Sequence, residues 1–382
     1  MPAQRILIPF HDFSAGGTEL IAFRLAKAWI KAGRTVSFLI GANNGPMRDR
    51  VPDGVSVTIL SPECPRSTFS RVRLGKQMAA DTVALAPDAI FIPGNFHFGV
   101  AHAMKHALPN VKIIAKISNP LIGPPFDHGL GVRLARPVLH GITRGIDWFA
   151  AMSQGLTQEA QRQLGHDRVA TLYDPNIPDD VTFDFERRQP LAPNGPIHLI
   201  GVGRLEPQKN WPLAFQTVAE MRKKRPTRLT IYGEGWQRAE LQKKVVQMGL
   251  HDCISLAGFT DDLARRMNDA DLMLISSNYE GGPAVAVEAL AQGLPFVSTD
   301  CSHFLREITI DQAFGTLVKG ADPASLANAV IDQLSRSGPQ PSVVAKALSP
   351  VRITDAANAY LDLFDHQIDA SSPDAPASAA RR

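Results

Sequence analysis

The sequence has 382 residues, of which 44% are hydrophobic and 20% charged, with a formal net charge of +3. This length accommodates two ordinary α/β domains, and the small positive charge gives no support for nucleic-acid binding. Cys64, Cys253 and Cys301 are isolated, which argues against a disulfide framework or a cysteine metal site and favours a reducing compartment. We expect neither a signal peptide nor a transmembrane helix, because the apolar start is one strand long and no apolar run reaches membrane-spanning length.

The first half alternates short apolar runs with helical patterns, as expected for a parallel sheet covered by helices on both faces. Predicted strands lie at Ile6–Phe10, Val36–Ile40, Val55–Leu60, Ala89–Pro93, Lys112–Ile117 and Trp148–Met152. Predicted helices include residues 20–33, Phe69–Ala86 and Val100–Leu108. We therefore predict one Rossmann-like, doubly wound α/β domain over residues 1–173.

Regular periodicity fails across residues 174–196, and this proline-rich stretch predicts an interdomain hinge. Periodicity returns in residues 197–349, which predict a second doubly wound sheet. Its strands include Arg228–Tyr232, Cys253–Ala257 and Leu272–Ser276. Its helices include Leu213–Lys224, Gln237–Met248, Asp261–Asn268 and Pro323–Arg336. A late helix is predicted at Ile353–Asp365, and the small, polar tail 370–382 is expected to be disordered.

The most informative stretch, residues 275–308, predicts a strand, a glycine-rich corner, a helix and a second strand. In the corner, Pro283 suits the first helical turn, and Gly281 and Gly282 let a ligand approach the backbone. Free N–H groups at a helix start attract phosphate, and the carboxylates of Glu280 and Glu288 flank this position. Carboxylates accept paired hydrogen bonds from neighbouring hydroxyls of a sugar or ribose. The stretch therefore predicts recognition of phosphate and sugar hydroxyls.

The two glutamates, the AxxxGLPxVSTD pattern after them, and Gly203, Arg204 and Lys209 upstream carry a family resemblance. They resemble the signature of retaining glycosyltransferases of the GT-B fold, in the GT4-like group called glycosyl transferases group 1. For the glutamate pair alone, a strand-loop-helix unit with solvated acids is an equal alternative. In the GT-B fold, two Rossmann-like doubly wound domains face a central cleft.

The resemblance implies a domain organisation as well as a fold. Residues 1–173 would form the acceptor domain, and residues 197–349 would form the nucleotide-sugar donor domain. The helix within residues 350–369 would cross back to the first domain. The chain departs from the family at Asp174, because the hinge of the family commonly reads Asn-Pro.

The resemblance also implies roles in the donor site. Arg204 and Lys209 would hold the nucleotide diphosphate, where two cations stabilise the charge on the departing β-phosphate without a metal. Glu288 would bind the ribose hydroxyls. Glu280, with the backbone of Gly281 and Gly282, would face the donor sugar or the phosphates. Whether Glu280 orients the sugar or stabilises an oxocarbenium-like centre is left open by the sequence.

Other donor-binding residues follow weaker patterns. Gly233 lies in a glycine turn that resembles the GxG loop of the family, although an ordinary strand-to-helix turn explains it equally well. Phe259 follows a strand where the family receives the base, largely through main-chain contacts. Pro283 completes the corner. Because main-chain recognition leaves no readable code, the base is undetermined. The resemblance implies a donor of the UDP or GDP type and no further cofactor.

In the first domain, Gly16 and Gly17 resemble the GGxE loop, which borders the donor phosphate and the acceptor. His97 follows a strand at a position where the family often carries a histidine near the reacting sugar, with local packing as the alternative. Asp269 and Asp271 mimic a metal-binding DxD motif. They precede a buried strand, so we interpret them as structural and predict no metal site.

Basic residues lie among apolar neighbours in two segments of the first domain. They are Arg66, Arg71, Arg73 and Lys76 in one segment, and Arg133, Arg136 and Arg144 in the other. Such stretches can rest on anionic lipid, although solvated helix faces are about as common. Because the family often uses lipid-linked acceptors, we expect a cytoplasmic protein with peripheral contact to an anionic membrane.

The resemblance implies a retaining, metal-independent hexosyltransferase that moves a sugar from a nucleoside-diphosphate sugar to a glycan or lipid-linked acceptor. Bacterial surface polysaccharide or glycolipid synthesis is the expected setting, and no nucleic-acid partner is expected. A nucleotide-sugar epimerase of the same fold is one alternative, although it should show additional acid or base residues. A non-catalytic nucleotide- or glycan-binding relative is the other. Release of free nucleoside diphosphate would separate a transferase from both.

Overall fold

The computed structural model describes residues 2–14, 16–67, 70–123, 126, 129–309 and 312–369, without the side chains of residues 71, 72 and 369. These residues form two compact units. The first contains the described residues up to Asp179 and those from Pro350 onward, and the second runs from Asp180 to Ser349. The predicted tail, residues 370–382, and the side chain of Arg71 lie outside the described parts.

The first unit contains a seven-stranded parallel sheet. Its strands are β1 Arg5–Phe10, β2 Thr35–Ile40, β3 Ser56–Ile59, β4 Ala89–Ile92, β5 Lys112–Ile117, β6 Trp148–Ala151 and β7 Val169–Thr171. Its helices are α1 Gly17–Lys31, α2 Ser70–Leu85, α3 Ala101–Ala107, α4 Leu130–Ile142 and α5 Gln154–Leu164. The strand order is β3-β2-β1-β4-β5-β6-β7, so the winding direction reverses between β1 and β4. In such sheets, ligands bind outside the carboxyl ends of the strands at this reversal.

The second unit contains a six-stranded parallel sheet. Its strands are β8 Ile197–Val202, β9 Thr227–Tyr232, β10 Ile254–Gly258, β11 Leu272–Ile275, β12 Phe296–Thr299 and β13 Gly315–Val318. Its helices are α6 Trp211–Arg222, α7 Arg238–Gln247, α8 Leu263–Asn268, α9 Ala284–Ala291, α10 His303–Ile308, α11 Pro323–Leu334 and α12 Pro341–Ala347. The strand order is β10-β9-β8-β11-β12-β13, which reverses between β8 and β11. The predicted fold class, two Rossmann-like doubly wound sheets, is confirmed.

Apolar strands make each sheet the centre of its unit. Strand β4, with the sequence AIFI, and strand β11, with the sequence LMLI, are buried at every position. Such continuous apolar runs are typical of parallel strands covered on both faces. In the first unit, separate apolar clusters pack on the two faces of the sheet. The fold therefore holds the loops at the strand ends on a rigid support.

The last helix, α13, spans Ile353–Asp369 and packs in the first unit. The Trp29 indole N–H of α1 donates to the Ala357 carbonyl of α13 at 3.1 Å. The rings of Tyr360 and Phe364 pack edge-on against Phe91 of β4, with centroid distances of 5.4 and 6.4 Å. The chain thus returns to its first unit after completing the second.

The segment predicted as a hinge is divided between the two units. Residues 180–196 lie in the second unit, where the Arg188 guanidinium donates to the Ala270 carbonyl at 2.6 Å and to the Gly293 carbonyl at 3.1 Å. Asp174 lies in the first unit, where its buried carboxyl is 3.1 Å from the Lys116 ammonium. Burial raises the pKa of Asp174, although Lys116 opposes this shift. The departure from Asn at Asp174 therefore provides an acidic partner for a buried lysine.

Among the described residues, no helix is both long enough and apolar enough to cross a membrane.

Candidate active site

The loops after strands β8, β9, β10 and β11 lie at one edge of the second sheet, because parallel strands end on the same side. The winding reversal between β8 and β11 falls at the centre of this edge. The fold thus places every donor-site residue predicted in the second unit either in these loops or in α9, which follows β11. This edge is where an open α/β sheet binds its ligand.

The loop after β8 turns Lys209 back toward the strand. Gly203 has a φ of +152°, and a Cβ at this position would lie 2.7 Å from Lys209 Cε, so glycine leaves room for the lysine side chain. A short 3₁₀ helix ends at Lys209, and Asn210 then adopts a left-handed conformation with φ +47°. The Trp211 indole N–H donates to the Arg204 carbonyl at 3.0 Å and anchors the loop.

An ion pair between Lys209 and Glu280 lies at the centre of the site. Lys209 Nζ is 2.6 Å from Glu280 Oε1, and the two side chains are 15% and 9% exposed. Glu280 Oε1 also accepts a hydrogen bond from the Ser277 hydroxyl at 2.7 Å, and its other oxygen lies 3.4 Å from the Gln208 amide nitrogen. The carboxylate is therefore held on several sides. This fixes the direction in which it can meet a ligand.

Hydrogen bonds to backbone carbonyls connect the three loops that carry this ion pair. The Glu280 N–H donates to the Cys301 carbonyl after β12 at 2.8 Å. The Ser276 hydroxyl after β11 donates to the Lys209 carbonyl at 2.8 Å. Because these loops follow β8, β11 and β12, the ion pair is built from three neighbouring strand ends rather than from one motif. Its geometry depends on the register of the sheet.

Arg204 lies in the same loop as Lys209 but is more open to solvent. Its guanidinium is 58% exposed and lies 2.9 Å from a Glu206 carboxylate oxygen. It also lies 3.4 Å from the Gln208 side-chain oxygen, which brings it close to the residue that contacts Glu280. The structure thus provides one cation that is half-buried beside a carboxylate and one that can move toward an incoming anion.

The glycine loops pack directly against each other. Gly233 has a φ of +145°, and a Cβ at this position would lie 2.0 Å from the Gly203 carbonyl oxygen. A Cβ on Gly235 would lie 2.5 Å from the Leu205 carbonyl oxygen. Gly233 therefore has a clear structural role, since only glycine fits between the loops after β8 and β9. Its predicted role in donor binding stays a prediction.

Two exposed aromatic side chains flank these loops. Phe259, predicted near the base, is 68% exposed just after β10. Trp236 is 72% exposed in the turn after Gly235, and the sequence analysis did not assign it a role. Exposed aromatic faces beside a ligand-binding edge can stack on a planar ring. A tryptophan directly after a glycine turn was the signal that could have identified Trp236.

The glycine-rich corner leads into α9 nearly as predicted. Pro283 occupies the N-cap position with φ −70° and ψ 99°, so it precedes the first helical turn instead of lying within it. The Gly281 carbonyl accepts a hydrogen bond from the Ser302 hydroxyl at 2.9 Å, and Gly282 is half-buried beside it. Glu288 is half-buried in the second turn of α9. The structure therefore brings Lys209 and Glu280 together directly, whereas Glu288 lies in the helix that follows their loop.

His97 lies in the first unit, in a short 3₁₀ helix after β4. It is 2% exposed, its Nε2 accepts a hydrogen bond from the His11 N–H at 3.2 Å, and its ring packs against Phe10 and Phe96. These contacts give His97 a packing role at the carboxyl ends of β1 and β4. The winding reversal of the first sheet lies at the same place. A role of His97 near the reacting sugar stays a prediction.

Gly16 and Gly17 lie at the start of α1. Gly16 is the N-cap residue in an extended conformation, and a Cβ there would lie 2.4 Å from a Glu19 carboxylate oxygen. Gly17 has open space around the position of a Cβ. The two glycines thus differ, since only Gly16 is constrained by its neighbours. Ala15, within the predicted loop, lies outside the described residues.

Asp12, at the carboxyl end of β1, is a buried acid that the sequence analysis did not select. Arg66 Nη2 donates to Asp12 Oδ1 at 2.9 Å, and its guanidinium lies 4.6 Å from the centre of the Phe96 ring. Burial alone would raise the pKa of Asp12, but hydrogen bonds from His11, Arg66 and Ser14 hold it well below its usual range. Arg66 thus pairs with a buried acid while its own side chain is 40% exposed, whereas the sequence had grouped it only with other basic residues.

Within the described ranges, no group of three or more histidine, cysteine, aspartate or glutamate side chains is placed to hold a metal ion. The Asp269-Ala270-Asp271 motif lies at the amino end of β11, away from the loop edge. Its Asp271 carboxylate accepts a hydrogen bond from the His198 N–H at 2.7 Å. This contact connects the starts of β8 and β11.

Comparison with known proteins gives a family match for the second unit. Residues 182–347 match the family model for glycosyl transferases group 1. An uncharacterized glycosyltransferase of Haemophilus influenzae is 23% identical over 314 residues, covering 80% of this chain and 82% of the relative. A relative from Campylobacter jejuni is 31% identical over 121 residues, covering 32% of this chain and 33% of that protein. Its name describes an N-acetylgalactosaminyltransferase that acts on a diphospho-undecaprenol-linked sugar.

Comparison of structures identifies the fold of the whole chain. HepE of Anabaena, solved in complex with UDP and glucose, superposes with a TM-score of 0.72 at 17% identity. The superposition covers 95% of this chain and 100% of HepE. At this identity the likeness establishes the fold alone. The two Rossmann-like sheets match those of GT-B glycosyltransferases.

Proposed function

We propose a specific activity, from the premise that the chain belongs to glycosyl transferases group 1. Membership of this family is supported by the family match across the second unit and by the shared GT-B fold. The chain is a retaining, metal-independent glycosyltransferase that takes its sugar from a nucleoside-diphosphate sugar. The observation that carries the proposal is the Lys209–Glu280 ion pair at the carboxyl edge of the second sheet, with Arg204 beside it. This arrangement combines a fixed carboxylate with two cations where a ligand binds.

The two cations bind the diphosphate of the donor. When the bond between the sugar and the β-phosphate breaks, negative charge grows on the leaving diphosphate, and cations held in place stabilise it. Lys209 is positioned by its turn and by Glu280. The more exposed Arg204 closes on the phosphates when the donor binds. No metal ion is required for this stabilisation, because the protein supplies the positive charge.

The carboxylates of Glu280 and Glu288 contact the hydroxyl-bearing parts of the donor, which are its sugar and its ribose. Glu280 is oriented by Ser277 and Gln208, and it faces the sugar, where it orients the ring or stabilises positive charge at the anomeric carbon. Glu288, in α9, accepts hydrogen bonds from the ribose hydroxyls. Gly281 and Gly282 let the phosphates approach the backbone, and Phe259 lies beside the base.

The acceptor is a glycan or a lipid-linked sugar, bound by the first unit. Gly16 and Gly17 border the donor phosphate and the acceptor, and His97 acts near the reacting sugar. The Campylobacter jejuni relative, whose name specifies a lipid-diphosphate acceptor, supports this class. We place the reaction in bacterial surface polysaccharide or glycolipid synthesis, at the cytoplasmic face of the membrane. The donor carries UDP or GDP.

Two other functions are weaker. A nucleotide-sugar epimerase of this fold requires further acid or base groups beside the sugar, whereas the side chains that donate to the Glu280 carboxylate are an ammonium, a hydroxyl and an amide. A non-catalytic binding protein would not require a carboxylate fixed by three donors. Release of free nucleoside diphosphate in proportion to sugar transfer excludes both.

The first experiment is a thermal-shift panel with UDP, GDP, ADP and their sugars. A ligand that binds the native state raises its melting temperature by mass action. One diphosphate should give a clear shift, and Lys209→Met should reduce it while Lys223→Met, an exposed lysine on the same unit, should not. No shift with any nucleotide would contradict the proposed donor site. The sugars of the selected nucleotide are then tested for turnover, which Lys209→Ala or Arg204→Ala should lower at least about a hundredfold.

A further inference from the structure

Helix α4 of the first unit presents an apolar stripe to solvent. Leu130, Leu134, Val138 and Ile142 follow one another at intervals of four residues, so they lie on one face of the helix. They are 68, 67, 69 and 47% exposed. Single exposed aliphatic residues are ordinary, but a contiguous apolar strip on a helix marks a binding surface. We refer to these four residues as the apolar stripe.

Positive charge borders the apolar stripe on one side. Arg133, His140 and Arg144 are exposed and follow one another at helical spacings of seven and four residues, next to the stripe. Residues 129–146 contain no aspartate or glutamate. Within the part of the chain that the structure describes, neither Arg133 nor Arg144 has an ion-pair partner. The face is therefore apolar and cationic, with no compensating acid of its own.

A basic pocket opens at the carboxyl end of α4. It is a cavity of about 470 Å³ whose lining includes Lys105, His140, Arg144, His166 and Arg168. The one carboxylate in its lining, Asp147, lies 2.8 Å from Lys105 and neutralises it. Over the described ranges, the guanidinium of Arg168, like that of Arg144, has no carboxylate partner. The basic pocket thus has a net positive charge.

The basic pocket is distinct from the candidate active site. Asp147 comes directly before β6 and Arg168 directly before β7, so the pocket lies at the amino edge of the first sheet. Gly16 and His97 follow β1 and β4 and lie at the carboxyl edge. The pocket therefore lies apart from the predicted site residues of the first unit, and Arg144 connects it with the border of the apolar stripe.

We propose that the apolar stripe and the basic pocket form one docking surface for an anionic membrane, in which the stripe enters the lipid interface and the pocket receives a lipid phosphate. Charge complementarity selects this occupant. Arg133 and Arg144 would be attracted to anionic headgroups, and aliphatic side chains gain free energy when they leave water. A second copy pairing through the same face would bring these arginines close to their own symmetry mates, which disfavours a twofold interface.

This docking surface gives the proposed membrane contact a location on the first unit, and it can be tested without sugar transfer. The full chain is sedimented with vesicles of phosphatidylcholine alone and with vesicles of phosphatidylcholine mixed equally with phosphatidylglycerol. We expect binding to the mixed vesicles, weaker binding to the neutral ones, and loss of binding as salt is raised. Donor binding is measured for every variant by thermal shift, so failure of the docking surface is separable from failure of the donor site.

Two double variants test the two parts of the surface. Arg144→Gln with Arg168→Gln should weaken binding to mixed vesicles about 25-fold, since each cation near an anionic surface contributes about fivefold. Leu134→Ser with Val138→Ser should weaken it by at least about tenfold, because two exposed aliphatic groups no longer enter the interface. The replaced stripe side chains face solvent, so the fold should persist in both variants.

A matched control replaces one aliphatic and one basic residue elsewhere on the same unit. Val83 on α2 is 48% exposed, and Lys27 on α1 is also exposed. Val83→Ser with Lys27→Gln should bind mixed vesicles as the parent chain does. A loss equal to that of the other two double variants would show a general effect of charge and hydrophobicity and would overturn the assigned surface.

Three further results would overturn the proposal. One is equal binding to neutral and mixed vesicles, and another is no binding to either. The third is a thermal shift with inorganic phosphate that is lost in the Arg144→Gln, Arg168→Gln variant, in a chain that does not bind vesicles. This result would assign the basic pocket to a free anion. A dimer that forms without lipid and dissociates in the Leu134→Ser, Val138→Ser variant would assign the apolar stripe to a second copy.

Discussion

Lys209 and Glu280 share a hydrogen bond at 2.6 Å, so their contributions to turnover should be strongly coupled. Lys209→Met removes the charge that we propose stabilises the diphosphate, and it also removes one of the groups that contact Glu280. Glu280→Gln removes the carboxylate charge and the strongest acceptor that positions Lys209. Each single variant therefore disturbs both residues, and the double variant should lose less than the sum of the two single losses.

The size of the coupling follows from the contacts. Removing a preorganised charged group from a reacting centre costs about 3 kcal/mol, or roughly 150-fold in turnover. A half-buried, charge-assisted hydrogen bond contributes about 2 kcal/mol, and Ser277 and Gln208 continue to hold part of Glu280. The double variant should thus lose about 4 kcal/mol, roughly a thousandfold. Independent residues would lose about 6 kcal/mol, more than ten-thousandfold.

The assay is the release of free nucleoside diphosphate at saturating donor and acceptor, measured for the four members of the cycle. An exposed lysine pair on the same unit supplies the control, since Lys223 Nζ lies 2.7 Å from a Glu220 carboxylate oxygen with side chains 66% and 36% exposed. Lys223→Met and Glu220→Gln, singly or together, should leave turnover unchanged. Additive losses for Lys209 and Glu280 would refute the shared role, and near-normal turnover of either single variant would remove that residue from the site.

Three other predictions concern single positions. Glu288→Ala should weaken donor diphosphate affinity at least about tenfold through loss of the ribose hydrogen bonds, and an unchanged affinity in a nucleotide titration would reject this contact. Gly233→Ala should lower the unfolding free energy of the second unit by about 2 kcal/mol or more, because the alanine Cβ would lie 2.0 Å from the Gly203 carbonyl oxygen. A denaturation curve like that of the parent chain would contradict this prediction. Lys116→Met should destabilise the first unit by about 3 kcal/mol, because Asp174 would stay buried without its cation. Denaturation can be followed by the fluorescence of buried Trp29, and an unchanged unfolding midpoint would contradict this expectation.

The sequence predicted the architecture because both sheets are built from continuous apolar runs, which parallel strands require. It did not predict the three-residue strand β7 or the four-residue strand β13, since such short segments show no periodicity. Helix α4 was also not predicted, because Pro137 interrupts its sequence.

The site was predictable only in part. Strand ends and glycine turns placed Lys209 and Glu280 at the same edge, although they lie far apart in the chain. Their direct contact depends on the left-handed turn at Asn210 and on the register of β8 and β11, which no local pattern specifies. The Asp12–Arg66 ion pair was missed for the same reason, since its partners come from different loops of the first unit.

Because α13 completes the first unit, this unit is discontinuous in the chain, whereas the second unit is one uninterrupted segment. During synthesis, the first strands of this unit emerge early but cannot bury Trp29 and Phe91 against their partners until α13 has left the ribosome. The second unit has all its strands available earlier and can fold without waiting. Deletion of α13 should consequently expose the apolar face of the first sheet and cause aggregation, although this helix lies far in sequence from every strand it covers.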